Sequence, residues 1–87
     1  MDTTTQRIIA NIRGVSKYYR RSNKNMAETI GIAVTTYDRK INKTGAFTLE
    51  EFAAIAETLG VTPVDLWCKD LATIIEELPE MDHARAA

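Results

Sequence analysis

The stretch Asn23–Asn42, NKNMAETIGIAVTTYDRKIN, constrains the fold more than any other part of this 87-residue chain. Ala27 lies four positions before Gly31, Ile32 follows the glycine, and Tyr37 stands six positions after it. A small residue at the first of these positions lets a second helix approach closely. Glycine at the second adopts the left-handed conformation that ends a helix. Ile32 and Tyr37 then lock the two helices at a steep angle, so that the second projects from the body. The segment therefore predicts a helix over about Lys24–Ile30, capped by Ser22 or Asn23, then a tight turn and a helix over 34–41. Met26, Ala27 and Ile30 face inward from the first, and Tyr37 and Ile41 from the second. Thr35, Asp38, Arg39 and Asn42 are left on the outer side, where a projecting helix can enter the major groove of duplex DNA.

The flanking sequence supplies a body for this pair. Ile8, Ile12, Val15 and Tyr19 recur at helical spacing and predict a first helix over about Thr3–Arg20, although Gly14 weakens its interior. Thr48-Leu49-Glu50-Glu51 fits a capping box, and Phe47 with Phe52 fits the accompanying hydrophobic staple. Phe52, Ile55, Ala56 and Leu59 form the stripe of a fourth helix that Gly60 ends. Thr62-Pro63 opens a fifth, in which Trp67, Leu71, Ile74 and Leu78 keep helical spacing until Pro79. With no strand signal, repeat or low-complexity linker, the expectation is an all-α, compact five-helix domain over 1–79 with a disordered tail over 80–87.

Charge is divided unevenly. Residues 1–45 hold nine basic side chains against three acids (+6), and residues 46–87 hold two against nine (−7). The basic half contains the projecting helix, and local positive potential is what a nucleic-acid binder needs. Two ordinary solvated faces that differ by chance are the bland alternative. A lone Cys68 permits no internal disulfide. No apolar run approaches the roughly 20 residues that span a bilayer. A signal peptide's apolar stretch is also missing from the N-terminus, so a cytoplasmic location without membrane partners is expected.

Met-Ala-x-x-Ile-Gly-Ile, Thr-Tyr-x-Arg-Lys-Ile and the Phe-Thr-Leu-Glu-Glu-Phe run ending in Leu-Gly-Val together resemble the Cro/C1-type helix-turn-helix proteins, over about Arg7–Leu71. The resemblance implies a lambda-repressor-like DNA-binding domain that regulates transcription, often as a phage or prophage repressor. It puts base contacts on Ala33, Val34, Thr35, Asp38, Arg39 and Asn42. Phosphate contacts fall on Ser22, Asn23, Lys24, Lys43 and Thr44. The chain departs from the pattern at Ala33, where a polar cap is common, and at Asn23, where glutamine is common. Asp38 is the third departure, an acid facing phosphates unless it accepts from a cytosine amine or pairs with Arg39 or Lys40.

Among individual residues, Arg39 is the first candidate for reading guanine O6 and N7, its other roles being a pair with Asp38 or a phosphate contact. Val34 touches a thymine methyl or packs on the second helix. Lys40 joins Lys24 and Lys43 as a backbone contact, with Arg20 and Arg21 either adding to them or lying in a solvated loop. Two copies on a two-fold operator are expected, so the partners are double-stranded DNA and a second copy of the chain. Ile74, Ile75, Leu78 and Met81 are the candidate dimer surface, unless the last helix merely closes the core. At least one of Tyr18 and Tyr19 is a core residue by helical register, before either is a stacking platform. Cys68 and His83 have no ligand partners nearby in sequence, and Glu76, Glu77 and Glu80 read as a solvated run. Neither catalytic constellation, metal cluster nor phosphate loop stands out, so no enzyme activity, cofactor, metal or small-molecule substrate is expected. The competing class is a protein-binding module on the same fold, an antitoxin or antirepressor.

Overall fold

Residues 3–78, which the computed structural model describes, form six helices and no strand. They are α1 (Thr3–Tyr18), α2 (Asn23–Ile30), α3 (Val34–Arg39), α4 (Leu49–Leu59), α5 (Pro63–Cys68) and α6 (Leu71–Glu77). Ile12, Val15, Met26, Tyr37, Ile41, Ile55, Leu59, Leu66 and Ile74 meet in one core, with every helix contributing. Fully burying a side chain of this size is worth about 1.5–3 kcal/mol, so the core outweighs the weak intrinsic stability of such short helices. The radius of gyration, 12.6 Å, is close to the roughly 12 Å expected of a compact chain this long.

The α2–α3 connection follows the sequence closely. Ser22 caps α2, its Oγ accepting from the Asn25 N–H at 3.0 Å. Gly31, at φ 83°, ends it in the left-handed region. The Gly31 and Ile32 N–H groups both donate to the Ala27 carbonyl, at 2.9 and 3.0 Å. Ala27 is fully buried, and α2 packs on α3 and α4. Ala33 precedes α3 with no side-chain cap. Beyond Arg39 the helix continues as one wide turn over Lys40–Thr44, closed by the Gly45 N–H donating to the Lys40 carbonyl at 2.7 Å. Lys43 and Thr44, beyond the predicted helix end at 41, therefore stand on a π-helical extension of α3.

The chain leaves α1 through an unexpected residue. Arg20 takes φ 58°, the left-handed conformation usually given to glycine. The Arg21 N–H reaches the Ser16 carbonyl at 2.8 Å and the Arg20 N–H reaches Lys17 at 3.0 Å, which closes the helix end. Gly14, the apparent weakness of α1, has a packing reason: a Cβ there would stand 2.4 Å from Leu71 Cδ2. The missing methyl lets α6 lie against α1.

The largest correction concerns the predicted fifth helix, which is two. Lys69 and Asp70 are extended, and Asp70 caps α6 by accepting from the Thr73 N–H at 2.9 Å. Asn11, buried in α1, donates to the carbonyls of Leu66 and Lys69 at 2.8 Å each, so it holds the broken end of α5. Lys69 bridges the break to Asp65 on one side and Glu77 on the other. These are exposed pairs of small energetic weight. The break turns Trp67 outward, although it shares helical spacing with the buried Ile74.

Candidate nucleic-acid interface

Tyr37 and Ile41 root α3 in the core. The Tyr37 ring leans on Phe47, with centroids 5.8 Å apart. Burial pushes the Tyr37 phenol up to about 12, with Asp38 adding to the rise and Arg13 opposing it, so it stays protonated. With one side anchored, the opposite side of α3 lies open. Ala33, Thr35, Arg39 and Asn42 are exposed there, and the last three recur at intervals of four and three. That spacing aligns them in one stripe.

The other two candidate base contacts are partly withdrawn. Val34 is half-buried and packs against the core, so its side chain is mainly structural. Asp38 is half-buried as well. It pairs with neither Arg39 nor Lys40: its Oδ1 accepts from Asn23 Nδ2 at 2.9 Å. One carboxylate oxygen is thus satisfied within the protein, which lessens the repulsion an acid would exert on phosphates and leaves the other oxygen to accept. Arg13 donates to Asn42 Oδ1. Because an arginine can only donate, the Asn42 amide protons are not used in this contact.

Lys40 does not stand free to meet phosphate, which corrects the expectation from sequence. Its ammonium holds both oxygens of Glu51, at 2.6 and 2.8 Å. Glu51 is also the N3 residue of the α4 capping box, receiving the Thr48 N–H at 2.8 Å. The Lys40 hydrogen bond, with the one from Thr48 behind it, holds the Glu51 carboxyl below the ordinary carboxylate range. Lys40 therefore ties the end of α3 to the start of α4. The remaining candidates stay accessible: Ser22, Asn23, Lys24, Lys43 and Thr44 are all exposed. Ser22 retains its hydroxyl proton for an outside acceptor while it caps α2. Thr44 Oγ1 accepts from the Ala46 N–H at 3.2 Å.

Most of the side chains expected on a dimer surface are instead turned into the core. Ile74 and Leu78 are only 2% and 8% exposed, and Ile75 packs partly against the same core. These residues close the core; Met81 lies outside the described residues. The large exposed apolar side chains are Leu49 at 84%, Val64 at 65% and Trp67 at 54%. Leu49 and Trp67 share one small cleft with Ile8, Phe47 and Phe52. Val64 and Trp67 sit three apart on α5, on the same side of the helix. Only the Asp70-x-x-Thr73 spacing, a fresh N-cap inside the periodic run, signals this rearrangement in the sequence.

Among the described residues no three His, Cys, Asp or Glu side chains gather as a metal site, and no helix is long and apolar enough to cross a membrane. No known family matches the chain, and comparison with curated proteins and with solved structures finds no similar protein.

Proposed function

We propose that this chain is a sequence-specific, double-stranded DNA-binding transcriptional regulator of the lambda-repressor-like, helix-turn-helix kind, such as a phage or prophage repressor. The observation that carries the reading is the Thr35–Arg39–Asn42 stripe, exposed on a short helix whose reverse side is sunk in the core. In this reading α3 enters the major groove. Arg39 donates to guanine O6 and N7, a contact worth about 1–3 kcal/mol against the wrong base. Asn42, one lone pair of its carbonyl taken by Arg13, still has its amide protons to donate to a base acceptor. The free Asp38 oxygen accepts from a cytosine amine. Lys24 and Lys43 meet phosphates on either side and set the position of the helix.

One copy brings few base contacts, so two copies on a two-fold site are part of the proposal. The Leu49–Val64–Trp67 face is the surface for the second copy. The Tyr37 ring of α3 leans on Phe47, which shares a cleft with Leu49 and Trp67, so this face adjoins the helix that would lie in the groove.

Fluorescence anisotropy against a pool of random duplexes, at about 50 and 200 mM salt, tests the reading, because phosphate-driven binding weakens steeply over that range. Salt-sensitive binding, abolished in Arg39→Ala/Lys43→Ala and enriching a palindrome, is the expected result. The second reading, an antitoxin or antirepressor that grips a protein, draws on the exposed Trp67 face lying in the acidic half of the chain. Absence of duplex binding at the lower salt decides for it.

A further inference from the structure

Asp38 stands three positions after Thr35 and four before Asn42, so it borders the outward stripe of α3 on the same side as those residues. It is an acid in the half of the chain where basic side chains outnumber acids nine to three. A carboxylate left free there would repel phosphate. Two observations fix what this one can do. Asn23, the first residue of α2, donates from Nδ2 to Asp38 Oδ1 at 2.9 Å. The other oxygen, Oδ2, takes no hydrogen bond from a described residue, yet it is not sealed from solvent: Ser16 Oγ is the closed and unpaired side-chain polar atom among them.

The clamp comes from a different helix, and that helix is fixed. Ser22 caps it, Met26 and Ala27 sink its next turn into the core, and it packs on α3. Asp38 therefore lacks the rotational freedom of an ordinary exposed acid. A carboxylate can only accept. In the major groove guanine shows two acceptors, thymine an acceptor and a methyl, and adenine an amine beside the N7 acceptor. Cytosine alone offers an amine with no acceptor on its own edge. One open, clamped oxygen fits that edge and meets an acceptor on each of the other three.

We propose that Asn23 is a positioning residue that confines Asp38 to one cytosine in each half-site, and that a methyl group on the N4 amine of this cytosine shuts the protein off its operator. The inference rests on the DNA reading above and deepens it. In a paired N4-methylcytosine the remaining N–H is spent on guanine O6, so the methyl takes the groove-side place of the proton that Asp38 needs. A methyl on C5 leaves that proton where it was. Binding is thereby sensitive to one kind of cytosine methylation and indifferent to the other, a control carried by the DNA itself.

The test measures anisotropy of the full chain on the duplex enriched from the random pool, with each cytosine of a half-site replaced in turn by N4-methylcytosine or by 5-methylcytosine. At one position the N4-methyl group should weaken binding about tenfold to a hundredfold, the size of a hydrogen bond to a charged group. The 5-methyl group at that position should leave binding nearly unchanged. Asp38→Ala and Asn23→Ala should each bind the unmodified and N4-methylated duplexes alike, and so should Asn23→Asp, which sets a like charge beside Asp38. Loss of a phosphate contact would weaken binding to all duplexes equally and leave their ratio standing, so the ratio separates positioning from a backbone contact. Asn23 is exposed and Asp38 half-buried, and circular-dichroism melts check that the variants are folded. A ratio that persists in Asn23→Ala, or wild-type binding indifferent to N4-methylation at every cytosine, overturns the proposal and leaves the DNA reading intact. Absence of binding to any duplex at about 50 mM salt removes that reading, and this inference with it.

Discussion

Asn11→Ala should destabilise the domain far more than a substitution of one polar side chain usually does. Both protons of the Asn11 amide are spent, at 2.8 Å each, on the Leu66 and Lys69 carbonyls. A typical hydrogen bond contributes about 1 kcal/mol, and a buried group left without its partner costs about 1–3 kcal/mol. The two carbonyls differ in burial, so the combined loss is about 2–4 kcal/mol. Domains of this size have a total stability of roughly 4–13 kcal/mol, and the melting temperature should fall by about 10–25 °C. Asn11→Asp sharpens the test, because a carboxylate can only accept and would face two acceptors. Its folded pKa is raised by that environment, so stability is retained below the ordinary carboxylate pKa and lost as pH rises through the folded value. The Asp variant should therefore be less destabilised near pH 4 than near pH 7. Urea unfolding followed by circular dichroism at both pH values measures this. A loss below about 1 kcal/mol in the Ala variant, with the denaturant slope unchanged, would refute the claim that Asn11 holds the end of α5.

Three further outcomes are expected. The Glu51, Asp65 and Asp70 carboxyls are all held below their ordinary values, chiefly by hydrogen bonds from Lys40, Lys69 and Thr73. The stability they supply is complete above about pH 4.3 and is lost as pH falls through the lowered folded values; Glu51→Gln should shrink that acid-side loss in a pH series of thermal melts. Arg20→Gly relieves a left-handed backbone worth about 1–2 kcal/mol, partly offset by the greater freedom of glycine in the unfolded chain. A melting temperature a few degrees higher is expected, and a lower one contradicts it. Trp67→Glu should leave the thermal melt of the monomer nearly unchanged, since the side chain is 54% exposed. Sedimentation should then show weakened self-association, and an unchanged monomer–dimer equilibrium would exclude this face.

Much of the fold is legible because its signals are local. The Thr48–Glu51 box, the Ser22 and Thr62 caps and the Gly31 stop each involve residues within a few positions of one another, and each is present. What escapes is set across distance. Periodicity alone carries Trp67, Leu71, Ile74 and Leu78 through one helix; Asp70 caps the new one locally, but the end of α5 is held by Asn11, 55 positions before its first acceptor. In the candidate site, the exposed stripe of Thr35, Arg39 and Asn42 could be read from helical spacing. The fate of Lys40 could not, because Glu51 lies on the next helix and its capping role masks its second partner. The same holds for Asn23 with Asp38 and Arg13 with Asn42, pairs created only when α1 and α2 pack beside α3.

The close seat of Leu71 on Gly14 bears on how this protein is made. Fifty-seven positions separate the two residues, and closing a loop of that length costs roughly 3.6 kcal/mol beyond a fixed term. A ribosome adding about 5–20 residues per second has delivered α2, α3 and α4 before the partner of Gly14 emerges. The Gly14 side of the first helix therefore stays open until α6 arrives. A polypeptide cut short before Leu71 is an unfinished domain, with the Gly14 side of its first helix still uncovered.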